Sequence, residues 1–147
     1  MSIDVPQFTG LNLVAKDLAA TLGFYRALGV HIPDENVWRT DSGPHHTEGV
    51  AIGTAAEIEI DSEALAREYN AGYREAPSAT MLAFHVTTRE EVDATYDRLV
   101  AAGFRSRQAP CDAFWGARFA VIADPDGRDI GLMSPSAAEH RSSPPPL

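Results

Sequence analysis

The 147 residues carry 21 acidic and 12 basic side chains, a formal charge of −9, and 44% of them are apolar. That length suits one compact domain or two small modules sharing a core, and the apolar share is enough to bury one. So negative a surface repels phosphate backbones and anionic lipid faces, which excludes nucleic acid and membranes as expected partners.

Residues 1–10 show no basic region leading into an apolar core, so no secretion signal is expected. Gly10–Ala15 alternates as a half-buried strand does. A helix follows, with Asp17 as N-cap, Leu18, Leu22, Tyr25 and Leu28 on one face, and Gly29 just past its end. Strands are expected over 36–41, 48–53 and 56–61, and a short helix over 62–70 with Glu63 and Arg67 one turn apart. Met81–Val86 opens a second copy, in which Leu82, Phe84, Tyr96 and Leu99 repeat Leu11, Leu13, Tyr25 and Leu28. Its helix starts with the capping box Thr88–Glu91, buries Val92, Tyr96, Leu99 and Val100, and ends before Gly103. Strands at 104–109, 117–123 and 128–133 complete it, the last two joined by the turn Asp124-Pro125-Asp126-Gly127. The longest apolar stretches, such as Phe119–Ala123, suit a buried strand and are too short to span a bilayer. Cys111 stands alone, which rules out an intrachain disulfide and fits a reducing, cytoplasmic setting. The Pro- and Ser-rich end, 135–147, reads as a disordered tail.

The fold class is therefore α+β, two βαβββ modules (1–75 and 76–134) forming a curled mixed sheet around a cavity with helices outside. Strand parity sends Leu11, Leu13, Leu82, Phe84, Ile130 and Leu132 towards the helices. It sends Gly10, Asn12, Glu57, Glu59, Met81, Ala83, His85, Asp129 and Gly131 to the opposite face.

Two stretches carry a resemblance to a known family. One is Leu13-Val14-Ala15-Lys16-Asp17-Leu18 with Phe24-Tyr25 and Leu28-Gly29-Val30; the other is Trp115-Gly116-Ala117-Arg118-Phe119-Ala120 with Asp124-Pro125-Asp126-Gly127. In this order, over residues 8–134, the chain resembles the vicinal-oxygen-chelate (glyoxalase/bleomycin-resistance/dioxygenase) superfamily. Metal enzymes of that family hold a divalent ion with side chains from four strands. The matching places fall here on Gly10, about Glu59, Met81 and Gly131. Glycine offers no donor and a thioether is a poor partner for hard or borderline ions, so no metal or other cofactor is expected. With His46-Thr47-Glu48 and Phe114-Trp115-Gly116, the chain looks most like mitomycin- and quinoxaline-type antibiotic binders. The resemblance implies a homodimer and a small planar or amphipathic ligand.

The candidate ligand-binding residues are Trp38, His46, Glu59, Met81, His85, Trp115 and Arg118. All but Met81 have two readings. Trp115 offers a flat face for stacking, or packs at a subunit interface. Trp38 forms the opposite wall of a slot, or packs in the core, as Phe114 is expected to do. His46 contacts the ligand, or belongs with His45 to a solvated loop after Gly43-Pro44. His85 orients a ligand or acts as a base, or is satisfied by backbone. Glu57, Glu59 and Asp61 make an inward wall preferring cations, or the polar side of an edge strand. Arg118 pairs with one of these acids or with a ligand carbonyl. No ligand spacing supports a metal at His46, Glu48 and His85, and no neighbouring cation activates Cys111. The expected function is a metal-independent binding protein sequestering a planar antibiotic or related metabolite. The alternatives are a glyoxalase-like lyase or isomerase working without metal, with His85 or Glu59 as acid–base, and a non-catalytic subunit with a vestigial pocket.

Overall fold

Strand, helix and three strands recur in the same order in the two halves of the chain. The computed structural model describes residues 10–52, 56–69, 73, 75 and 81–144. Residue 53 of an expected strand and residues 145–147 of the expected tail lie outside them. Two compact units divide the chain, Met1–Arg74 and Glu75–Leu147.

The first unit contains β1 (Gly10–Ala15), α1 (Leu18–Leu28), β2 (Val37–Thr40), β3 (Gly43–Ile52), β4 (Ala56–Ser62) and α2 (Glu63–Tyr69). Its sheet runs β1-β4-β3-β2, parallel between β1 and β4 and antiparallel elsewhere. Asp17 caps α1 by accepting from the Ala20 amide, and Gly29 ends it at φ 111°. Leu18, Leu22, Phe24, Tyr25 and Leu28 are buried on α1, as are Leu13, Ala15, Ile58 and Ile60 on the strands. Apolar burial on the helix side thus fixes which face each strand presents.

The second unit contains β5 (Met81–His85), α3 (Arg89–Ala101), β6 (Ser106–Asp112), β7 (Arg118–Ala123) and β8 (Asp129–Met133), in the order β5-β8-β7-β6. Both hydrogen bonds of the Thr88–Glu91 capping box are present. Gly127 closes the β7–β8 turn at φ 83°, with the buried Asp124 carboxylate accepting from the Asp126 and Arg128 amides. Each four-stranded sheet is mixed, and among the described residues neither closes into a barrel.

Three local expectations need correction. On α3 the buried stripe is Val92, Thr95 and Leu99; Val100 is 40% exposed and Tyr96 sits at the margin, its hydroxyl on Ser106 Oγ. β3 begins at Gly43, so His45 and His46 lie on a strand and not in a loop. The described part of the expected tail, 135–144, is tied down. Ala138–His140 forms a 3₁₀ turn, Ala137 N–H donates to Gly116, Ser142 N–H donates to Phe114, and Arg141 bridges Trp115. Those backbone bonds outweigh the composition of the segment.

Thr47 explains how β3 survives an irregular register. The pairing with β4 shifts between Thr47 and Val50, and the fully buried Thr47 hydroxyl takes the Ile60 amide at 3.0 Å. Thr47→Val keeps the shape but strands that buried N–H. It should lower the unfolding free energy by about 1–3 kcal/mol, read as a shifted denaturant midpoint at constant slope.

Candidate functional site

Cross-strand pairing on the first sheet builds a row of side chains on the face turned away from the apolar side of α1. Trp38 on β2 is opposite His46 on β3, and His46 is opposite Asp61 on β4. Asn12 on β1 is opposite Glu59 on β4, two residues before Asp61. Directly opposed residues share a face, so these five side chains converge. With Leu65 of α2 they line an open depression of about 350 Å³.

The polar centre of this depression is a relay. Asp61, only 2% exposed, receives Asn12 Nδ2–H at 2.9 Å and lies 2.6 Å from His46 Nδ1. A carboxylate only accepts, so a proton belongs on Nδ1, and with the ring in its neutral form Nε2 is the acceptor left for a ligand. Beside the relay, Trp38 is 52% exposed, its ring tilted against His45 at 5.4 Å. His45 itself is held by Ser62, Thr40 and Ser42 hydroxyls. Glu59 is half-buried and has no hydrogen bond or ion pair to another described residue. The arrangement offers a flat aromatic surface, an oriented acceptor and an unneutralised carboxylate.

The second sheet has a different open face. Met81, Ala83 and His85 on β5 pair with Asp129, Gly131 and Met133 on β8, and Gly131 and Met133 pair in turn with Val121 and Phe119 on β7. Trp115 packs here edge-on to Phe114 and Phe119, and its indole N–H donates to Met133 Sδ. Both its polar atom and its ring edges are engaged within its own unit. Phe114, expected in the core, is 39% exposed. His85 is exposed and has no orienting carboxylate among the described residues.

Of the residues singled out from sequence, Trp38, His46 and Glu59 meet on one surface, and Met81, His85 and Trp115 share a face of the second sheet. Arg118 joins neither group. It alternates with Phe119 on β7 and pairs with Asp93 of α3 at 2.9 Å and with Asp112 of β6 at 3.2 Å. The hydrogen bond to Asp93 raises the guanidinium further above its ordinary value. Both of these partners lie within its own unit. Glu57, Glu59 and Asp61 lie on β4, an inner strand between β1 and β3, not on an edge. Asp61 as the partner of His46, and Asn12 as the partner of Asp61, were not found from sequence; the pairing of β4 with β3 and with β1 creates them.

The four places where the resembling metal enzymes carry ligands do not suit a divalent ion. Gly10, which has no side-chain donor, pairs with Glu57, and Glu59 pairs with Asn12. A Cβ at Gly131 would lie 2.9 Å from Met81 Sδ and 3.2 Å from the Phe119 ring, so the space of a fourth ligand is filled by a thioether and a phenyl group. Among the described residues no group of three His, Cys, Asp or Glu side chains is placed to hold a metal.

Residues 7–132 match the family model of the Glyoxalase/Bleomycin resistance protein/Dioxygenase superfamily. A glyoxalase-related enzyme from Fulvimarina pelagi is similar at TM-score 0.72 and 22% identity, with 89% of each chain covered. A glyoxalase/bleomycin resistance protein/dioxygenase from Nocardioides is similar at TM-score 0.67 and 25% identity, covering 99% of this chain and 92% of that one. A hypothetical protein from S. aureus is similar at TM-score 0.69 and 23% identity, with 89% and 94% covered. Among curated proteins none matches.

Proposed function

The chain belongs to the glyoxalase/bleomycin resistance protein/dioxygenase superfamily, and on that premise we propose that it is a metal-independent binding protein that sequesters a small planar or amphipathic molecule, such as an antibiotic or related metabolite. The observation that carries this reading is the half-exposed Trp38 beside the His46–Asp61–Asn12 relay. A large flat side chain next to a few oriented polar atoms is how small-molecule sites combine affinity with orientation. The donor-poor residues at the family's metal places support metal independence. A cytoplasmic homodimer is part of the proposal. No helix among the described residues is long and apolar enough to cross a membrane.

A second reading is favoured by the same relay. A histidine oriented by a buried carboxylate is also the geometry of a general base, so a glyoxalase-like lyase or isomerase working without metal remains the alternative. His46, and not His85, would be its base.

Tryptophan fluorescence separates the two. Trp115→Phe leaves Trp38 as the lone indole, and planar antibiotics titrated into this metal-free variant should quench it saturably. Trp38→Ala should weaken binding, followed by calorimetry, by about tenfold or more. Stoichiometric divalent metal in the purified protein would sink metal independence. Product formation abolished in His46→Ala would move the assignment to the enzyme.

A further inference from the structure

The depression beside Trp38 has an unbalanced hydrogen-bond inventory. Asn12 spends an amide N–H on Asp61. Asp61 accepts on both oxygens, one of them next to His46 Nδ1, so the neutral ring of His46 has Nε2 as its remaining acceptor. Glu59 adds a second carboxylate with no partner among the described residues. Leu65 has no polar side-chain atom, and among the described residues no lysine or arginine lines the depression. Apart from the indole N–H of Trp38 and the remaining Asn12 amide hydrogen, the wall consists of acceptors.

A ligand bringing more acceptors would place them against acceptors, and an anion would face two carboxylates. Both lose hydration without regaining partners. A cation edged with N–H groups meets the opposite situation. Its donors reach His46 Nε2 and Glu59, and its charge is attracted both to the carboxylate and to the face of Trp38. Resting on the binding reading above, we propose that this site selects planar cations carrying N–H donors, as in aminoaromatic or amidine groups.

Calorimetric titration at slightly alkaline pH with three tricyclic probes of matched outline tests this. Proflavine is a cation with amino groups, acridine is the bare neutral ring under these conditions, and anthracene-2-sulfonate is an anion. Proflavine should bind about tenfold or more tighter than acridine, with the sulfonate weakest. Glu59→Gln should narrow the proflavine-to-acridine ratio to about threefold or less, and added salt should narrow it too. Equal affinities in the unaltered protein, or a ratio untouched by both Glu59→Gln and His46→Phe, would overturn the selectivity while leaving planar binding intact. No saturable binding of any probe would overturn the binding reading as well.

Discussion

Asp61→Ala is expected to cost about 2–3 kcal/mol of stability and to abolish oriented binding at His46, while Asp61→Asn keeps the fold but reverses what His46 offers. The alanine variant removes a 2% exposed carboxylate and strands the Asn12 amide and the His46 Nδ1–H. Stranding donors that met a buried carboxylate costs about 1–3 kcal/mol or more. The cost stays within that range here because His46 is 28% exposed and water can reach it. The asparagine variant is more informative. Its amide oxygen can still accept from Asn12, but its NH₂ must then meet His46 Nδ1, which can only accept if the proton moves to Nε2. The outward atom changes from acceptor to donor. Histidine ¹⁵N shifts should report Nδ1–H in the unaltered protein and Nε2–H in Asp61→Asn. The affinity for proflavine should fall by about tenfold with an unfolding midpoint close to the original. An unchanged tautomer together with unchanged affinity would show that the relay does not set the chemistry of the site.

Caps, turns and strand parity were legible in the sequence because each depends on chemistry within a few residues. Asp17, Thr88 with Glu91, and Asp124 through Gly127 act on their own backbone, and all three act as expected. Parity placed Asn12, Glu59 and Met81 on the face away from the helices because alternating Leu and Ile residues leave no other arrangement. The relay was not legible. His46 follows Gly43-Pro44, a pair that reads as a loop, and it meets Asp61 only through pairing across irregular registers at Trp38/Arg39 and Thr47/Val50. A bulge adds a residue that counting along one strand cannot detect. The partners of Arg118 were not legible for a different reason: Asp93 and Asp112 lie on elements whose approach is decided by packing of α3 on its sheet.

Gly116→Ala should destabilise the second unit by about 3 kcal/mol and release residues 135–144 from the Trp115 loop. Gly116 sits at φ 97°, where a residue with a Cβ costs about 1–2 kcal/mol. The new methyl group would also collide with the Ala137 carbonyl oxygen and lie 2.8 Å from Arg141 Cγ. The first of these is backbone and cannot swing aside, so the segment must move. Moving it breaks the Ala137 N–H bond to Gly116 and strains the Ser142 N–H bond to Phe114, each worth about 1 kcal/mol. Strain and clash separate in a double-mutant cycle with a chain stopped after Ser134. In that background Gly116→Ala should cost only the backbone strain, about 1–2 kcal/mol. Amide exchange at Ala137 and Ser142 should speed up in the full-length variant. The same cost in both backgrounds would mean that the segment does not brace the loop. Trp115 would then keep its place against Phe119 and Met133 by ring packing alone.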